Sequence, residues 1–299
     1  MVLPPREEYA ALAPKPGSPV WRAFNDVRML STSGYATLLQ VAHPTVGNGV
    51  REHSNYRADP LDRLLRTVDF VNLLIYGGPD AAIVVGRCLR ETHKRIKGVG
   101  PDGKRYHALE PEAYAWVHAT LLDSIVLAHE RFGRPLGEAE RQRFCREWIG
   151  LGRVLGVREG DLPPDWDEFR AYFDRMVAER LEDNDVVQGL LVEIAKPAAI
   201  PKLDNAAWKA IGFPMGRALS LSTVGLLPEI LRERFGRDWT RANEFELRAL
   251  GRLSRSLTPV LPASAKVSGP NYIRWRRRQM AKGEFAAAAA ELDPLPRAA

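Results

Sequence analysis

A histidine and an arginine one turn apart stand in the segment RETHKRIK, residues 90–97. His93 continues a helical stripe that includes Val85 and Leu89, at spacings of four residues, and Arg90 lies at the edge of this stripe. A buried imidazole needs a hydrogen-bond partner or a metal ion. A haem would use both residues, the imidazole as axial ligand of the iron and the guanidinium as partner of a propionate. A core histidine bonded to a backbone carbonyl fits the same pattern.

A second group of polar residues lies on the preceding segment of the chain. Arg63 and Thr67 are four residues apart and share one predicted helix face with Phe70 and Leu74. Hydrogen-bond donors set into an apolar wall suit a distal pocket in which dioxygen or peroxide is bound. A surface arginine and a threonine bonded to its own helix would have the same spacing. His118 also lies on the apolar face of a predicted helix, where a structural role is the simpler reading.

The elements that carry these residues are predicted to be helices. Proline at the first helical position and glycine after the last one mark the strongest of them. Convincing two-residue alternation is absent, and Pro44 predicts a break at His43. The predicted fold is therefore all-α, a single-domain helical bundle. Its predicted helices cover residues 59–77, 79–98, 110–133, 137–155, 166–181, 185–195, 227–235, 241–256 and 271–282.

The composition and the proline distribution predict how the chain is organised. Of its 299 residues 45% are hydrophobic and 27% are charged, which is typical of a globular protein. We expect a helical domain over residues 21–282 between an extended N-terminal tail, 1–20, and a peripheral C-terminal tail, 283–299. Residues 196–215 contain three prolines and are predicted to connect two helical blocks.

Several classes of function are disfavoured by the sequence. The net charge is only +6, and the arginines alternate with acidic residues, so we expect no nucleic-acid partner. The two cysteines, Cys88 and Cys145, form neither a disulfide framework nor a zinc motif. No apolar leader or 18-residue apolar run occurs, so the expected compartment is the cytoplasm. The basic WRRR at 275–278 could contact a membrane surface peripherally, although a solvated helix face explains it equally well.

Two segments resemble the signature of a known family. They are LQVAHPTVGNGVREHSNYRADPLDRLLRT, residues 39–67, and YHALEPEAYAWVHATLLDS, residues 106–124. Both are similar to the DUF2236 family, the catalytic domain shared by rubber-cleaving latex clearing oxygenases and MpaB-type oxygenases. The resemblance is strong over residues 21–176 and weaker to about residue 280. It implies an all-helical protein with a pocket for b-type haem (heme b) that cleaves isoprenoid double bonds with dioxygen.

The resemblance also implies roles for individual residues. Its axial histidine stands in an R-x-x-H context, which here matches His93 as iron ligand and Arg90 as a cofactor-binding residue. Its distal arginine and threonine match Arg63 and Thr67. Rubber-cleaving members carry a lysine that can cap the iron where this chain has Arg66, and a permanently protonated guanidinium cannot do so.

Three further residues complete the predicted site. Glu52 is the candidate for the glutamate base of the family, with His53 as its alternative. Arg66 is expected to contact the cofactor, and His118 is the next candidate ligand if His93 does not bind the iron.

The sequence therefore predicts a haem-dependent oxygenase that acts with dioxygen on a small hydrophobic substrate, with an isoprenoid as one candidate. A haem peroxidase using the same site is the first alternative. A helical haem-binding or sensing protein without turnover is the second. Oxygen consumption without added peroxide separates the first two, and an absorption spectrum tests whether haem is bound at all.

Overall fold

A computed structural model describes residues 6–54, 60–195 and 205–261, together with residues 269, 273, 274 and 278. The side chains of residues 6, 60–66 and 205–211 lie outside this description. Within the described residues the all-α prediction is confirmed, because helices form almost all of the regular structure. The α-helices are α1 Arg6–Leu12, α2 Pro19–Phe24, α3 Ser33–Ala42, α4 Pro44–His53, α5 Pro60–Tyr76, α6 Pro79–Arg95, α7 Pro111–Phe132, α8 Glu138–Leu155, α9 Trp166–Glu179, α10 Asp185–Ala195, α11 Asn205–Leu226, α12 Glu229–Arg234 and α13 Arg241–Leu257, with two 3-10 helices, Val27–Thr32 and Thr258–Val260.

The core lies between α7 and the helices that pack around it. α7 contacts the first 3-10 helix, α3, α8 and α13. The indole of Trp116 on α7 is fully buried and donates from Nε1 to the Leu39 carbonyl of α3 at 2.8 Å. On α8, Trp148 stacks on Phe24 of α2 with ring centroids 4.7 Å apart. Among the described residues no helix has the length and apolar character needed to cross a bilayer.

The predicted break at His43 is confirmed. α3 ends at Ala42 and α4 begins at Pro44, and His43 between them has φ −73° and ψ 126°, an extended conformation. The proline ring clashes with a helical conformation of the preceding residue, so the chain turns here.

A short β-hairpin replaces the end of one predicted helix. α6 ends at Arg95 instead of continuing to Gly98, and β1, Lys97–Val99, pairs antiparallel with β2, Arg105–His107. A Cβ atom on Gly98 would lie 2.6 Å from Oε2 of Glu52 and 2.8 Å from the hydroxyl of Tyr106. The hairpin therefore packs closely against α4, and a larger residue at 98 would displace the ends of these two side chains.

The N-terminal region differs from the extended tail predicted over residues 1–20. Residues 6–12 form α1, which packs on α6 and α8, and Tyr9 is buried. A Cβ atom on Gly86 of α6 would lie 3.6 Å from the Tyr9 hydroxyl, so the two helices are in close contact. The extended tail was predicted from the prolines in this region, but these prolines stand before and after the helix in the sequence and not within it. The remaining boundaries, at residues 21 and 282, stay predictions.

The predicted linker over residues 196–215 is wrong for its second half. α11 begins at Asn205 and continues to Leu226 with Pro214 inside it. This helix packs against α3, α10 and α13, and a Cβ atom on Gly34 of α3 would overlap Oγ1 of Thr223. Tertiary packing of this helix thus outweighs the helix-breaking tendency of Pro214.

Candidate active site

The predicted inward face of α6 is present, and its residue His93 packs against α7. Val85 is buried, Leu89 and His93 are half-buried, and the charged residues on the other sides of the helix are exposed. The ring of His93 meets the ring of Tyr114 on α7 edge to face, with centroids 5.5 Å apart and planes at 87°. Arg90, one turn earlier, lies close enough to the Tyr114 hydroxyl to influence its ionisation. The structure thus brings His93, Arg90 and Tyr114 together.

Two polar atoms of this cluster are buried without a hydrogen-bond partner among the described residues. They are Nδ1 of His93 and Nη1 of Arg90. Buried nitrogen atoms of this kind are nearly always satisfied in folded proteins, by protein groups, by water or by a ligand. An unsatisfied guanidinium nitrogen points to an anionic oxygen atom as its missing partner.

The surroundings of His93 favour the neutral imidazole. Burial lowers the pKa of His93, and the nearby His107 lowers it further. The carbonyl of Leu89 acts in the opposite direction, although no hydrogen bond between it and the ring meets ordinary geometric limits. A neutral imidazole keeps a lone pair, which is the form that binds a metal.

Tyr114 fixes the position of α7 against the end of α8. Its hydroxyl donates to the carbonyl of Leu155 at 3.0 Å. Burial raises the pKa of Tyr114 to about 12, against the opposing effect of Arg90. The phenol therefore stays protonated near neutral pH and presents its ring, not a charge, to His93.

His107 is a neighbour of His93 that the sequence did not identify. It follows Tyr106 at the end of β2, and its Nδ1 accepts a hydrogen bond from the Leu109 backbone at 3.2 Å. The strand has only three residues, so its alternation is too short to be recognised in the sequence.

Glu52 is not brought to this cluster. Its side chain lies on the exposed end of α4, and its Oε2 accepts a hydrogen bond from the Tyr106 hydroxyl at 2.5 Å. Neighbouring residues of a strand point to opposite faces, so the Tyr106 side of the hairpin lies away from His107. Glu52 therefore does not lie beside His93, and the geometry adds no support to its predicted role as a base. The alternative, His53, is exposed on the same helix end, with its ring 6.4 Å from that of Tyr106.

The contacts of the His118 side chain indicate a structural role. This corrects the prediction that His118 is the second candidate for the iron ligand. Its side chain is 3% exposed and stacks on Trp148, with centroids 4.6 Å apart and planes at 4°. Its Nε2 is 2.7 Å from the Trp148 carbonyl, and the Trp148 indole donates to the His118 carbonyl at 3.0 Å. A Cβ atom on Gly152 would lie 2.9 Å from Nε2, so α8 leaves no space beside the ring.

Two other histidines also have partners within the protein. Nε2 of His43 is 3.3 Å from a carboxylate oxygen of Glu112, and Nε2 of His129 is 3.2 Å from the carbonyl of Ala23. Burial lowers the pKa of His43 even though Glu112 acts to raise it. Both rings therefore serve contacts between helices.

The predicted distal residues belong to α5. The side chains of Arg63 and Arg66 lie outside the described residues. The side chain of Thr67 is exposed, while Phe70 is half-buried and Leu74 is buried. Phe70 and Leu74 therefore face the protein towards the end of α5, which packs against α6, whereas Thr67 does not lie in the buried wall that the spacing predicted for it.

The described residues contain no group of three or more His, Cys, Asp or Glu side chains arranged to hold a metal ion. A haem iron takes most of its ligands from the porphyrin and needs a single imidazole from the protein. His93 with Arg90 thus suits a metal held within an anionic macrocycle.

The comparisons with known proteins identify the family of the chain. Residues 21–256 match the family model described as ER-bound oxygenase mpaB/B′ and rubber oxygenase, catalytic domain. The match includes α2 to α13 almost completely, and with them His93, Arg90 and Tyr114. No curated protein and no solved structure matches the chain.

Proposed function

The chain belongs to this family of oxygenase catalytic domains, and we propose that it is a haem b-dependent oxygenase acting on a small hydrophobic substrate. The observation that carries the haem part of the proposal is the pair of unsatisfied buried nitrogen atoms on α6, Nδ1 of His93 and Nη1 of Arg90. Dioxygen is the proposed second substrate.

The residues on α6 fit this cofactor. His93 would hold the iron through its imidazole, and Arg90 would bind a propionate carboxylate through its guanidinium. When bound, haem b supplies the chemistry with dioxygen, and the protein contributes orientation and polarity. Tyr114 supports this arrangement, because its ring packs against His93 while its hydroxyl is fixed at the end of α8.

The opposite wall of the proposed pocket is α5. We propose that Arg63 and Thr67 donate hydrogen bonds to dioxygen, and that Arg66 contacts the cofactor. Phe70 and Leu74, further along the same helix, would form the apolar wall for the substrate. The role of Glu52 as a base stays a prediction from the family resemblance.

An absorption titration tests the ligand. Haem added to purified protein should produce a Soret band that saturates at one haem per chain, and His93→Ala should abolish or greatly shift this band. His53→Ala is the matched control, since it removes an exposed histidine of α4. An unchanged spectrum in His93→Ala would contradict the assignment, and loss of the band in His107→Ala instead would place the ligand on the hairpin.

Oxygen uptake tests the activity independently of the spectrum. With squalene and no added peroxide the haem-loaded protein should consume oxygen, whereas squalane, which has no double bonds, should give none. Arg63→Ala should keep the Soret band and lower turnover on the order of 10²-fold, because one charge-stabilising donor is lost. Uptake that requires peroxide would favour a peroxidase, and a Soret band without any turnover would favour a sensor.

A further inference from the structure

A cleft of about 490 Å³ lies away from the proposed haem site. It is formed by the second half of α7, the starts of α8 and α9, and the segment between α11 and α12. Its α7 side includes Val126, twelve residues after Tyr114, which corresponds to about 18 Å along a helix. Its volume is in the range of small-molecule binding sites.

One side of the cleft is a satisfied polar network. The hydroxyl of Tyr35 donates to Oδ2 of Asp123 at 2.6 Å, and Arg170 forms an ion pair with the other carboxylate oxygen. Arg170 also pairs with Asp174. The positive charge of Arg170 is therefore compensated by two carboxylates.

Arg141 on α8, unlike Arg170, has no acidic partner among the described residues. Its guanidinium lies over the Trp166 ring at 5.1 Å, and its Nε is buried without a hydrogen-bond partner among the described residues. It lines the cleft together with Arg131 and Arg232. Within the part of the chain that the structure describes, none of these three guanidiniums forms an ion pair.

The acidic residues of the cleft do not balance these charges. Asp123 is occupied by Arg170, and Glu244 pairs with Arg248. Glu130, on the exposed surface of α7, is the remaining carboxylate among the lining residues. Positive charges that line one cleft without ion-pair partners attract an anion, because the low-dielectric walls of a cleft concentrate their field.

The other walls are apolar. Val126, Leu226 and Pro228 line the cleft next to the guanidiniums. A ligand that fills the space must therefore combine one anionic group with an aliphatic body. A monoanion suits the site better than a phosphate dianion, since Asp123 and Glu130 would repel additional negative charge.

We propose that this cleft binds a medium-chain aliphatic carboxylate, with its carboxylate on Arg141 and its chain against the α7 and α11 side chains. The planar guanidinium can donate two parallel hydrogen bonds to a carboxylate, and Trp166 holds it in the required position. The site is independent of the proposed haem pocket.

Calorimetric titration of the full chain with octanoate tests the proposal. Octanoate should bind to one site, whereas 1-octanol, which lacks the charge, and acetate, which lacks the chain, should bind at least tenfold more weakly. Arg141→Gln should weaken octanoate binding by about 10- to 100-fold, as expected for one charge-assisted contact. Arg141→Lys should retain part of the affinity, and Arg143→Gln, exposed on the same helix, should retain all of it.

The outcomes separate this cleft from other sites. Octanoate that binds Arg141→Gln as tightly as the wild type occupies another pocket, and the proposal is then wrong. Equal binding of octanoate and acetate would refute the apolar half of the site. If Arg141→Gln does not fold, Arg131→Gln at the exposed rim replaces it, with a loss of affinity as the supporting result and an unchanged affinity as the opposing one.

Discussion

Replacing His118 with glutamine removes a titratable group from the contact between α7 and α8. The glutamine amide can still donate to the Trp148 carbonyl, which is 2.7 Å from Nε2 in the wild type. Burial lowers the pKa of His118 to about 4, against a smaller opposing effect of this carbonyl. The perturbation therefore isolates the energetic consequence of keeping one imidazole neutral inside the protein.

The sign and the size follow from proton linkage. Because the pKa of His118 falls from 6.5 in the unfolded chain to about 4 in the folded chain, the unfolded chain binds the proton more tightly. The stability from the neutral ring is complete above pH 6.5 and is lost as the pH falls towards 4. Between pH 7 and pH 5 this loss is about 2 kcal/mol, and the full shift corresponds to about 3 kcal/mol.

Urea unfolding at pH 7 and at pH 5, followed by tryptophan fluorescence, measures this effect. For each protein the decisive quantity is the difference between its unfolding free energies at the two pH values. In His118→Gln this difference should be smaller than in the wild type by about 2 kcal/mol. The comparison within one variant cancels the pH-independent cost of the substitution. His53→Gln is the matched control, because it removes an exposed imidazole.

One result would refute the reasoning. If the wild type and His118→Gln lose the same free energy between pH 7 and pH 5, the ring is not held neutral by burial between the helices. Its correction from candidate ligand to structural residue would then lose its physical basis.

Two further substitutions test contacts elsewhere in the fold. Tyr35→Phe should lower the unfolding free energy by about 1.5–3 kcal/mol in urea at pH 7, since the buried carboxylate of Asp123 loses a donor. Tyr172→Phe is its control and should be nearly neutral, because that buried hydroxyl has no partner among the described residues. Gly86→Ala should lower the thermal midpoint, at a cost of about 1–3 kcal/mol, because its Cβ would meet a backbone oxygen of α8. Gly150→Ala, inside α8 with only an ordinary contact at 3.7 Å, should not lower the midpoint, and a comparable loss there would contradict the packing argument.

The parts of the fold that could be predicted are those set by local signals. Pro44 determines the break at His43, and the spacing of Val85, Leu89 and His93 determines the inner face of α6. The hairpin could not be predicted, because its close approach to α4 depends on the space beside Gly98. The helix in the second half of the predicted linker could not be predicted for the same reason. It contains a proline and is stabilised by packing partners that are distant in sequence.

For the site, the sequence identified two histidines as candidate iron ligands but could not select between them. His93 and His118 both lie on apolar helix faces, and their spacing to neighbouring residues does not distinguish them. The distinction comes from α8, whose Trp148 carbonyl is a partner for Nε2 of His118, 30 residues away in sequence, whereas Nδ1 has no partner among the described residues in either ring. Arg90 was predicted from its position one turn before His93. His107 was missed because a three-residue strand brings it close.

The unsatisfied atoms on α6 connect the stability of this protein to its proposed cofactor. A buried polar atom without a partner costs about 1–3 kcal/mol, so the pair on Arg90 and His93 costs about 2–6 kcal/mol. Net stabilities of folded domains are only about 5–15 kcal/mol, which makes this cost large. Some buried polar groups satisfy each other, as Tyr35 and Asp123 do, whereas Tyr9, Arg141 and Tyr172 each also hold a buried atom without a partner among the described residues. What distinguishes the pair on α6 is that its two atoms lie one turn apart on the same helix, so that one ligand with a metal and a carboxylate could contact both residues, and this is the reason for proposing a ligand there.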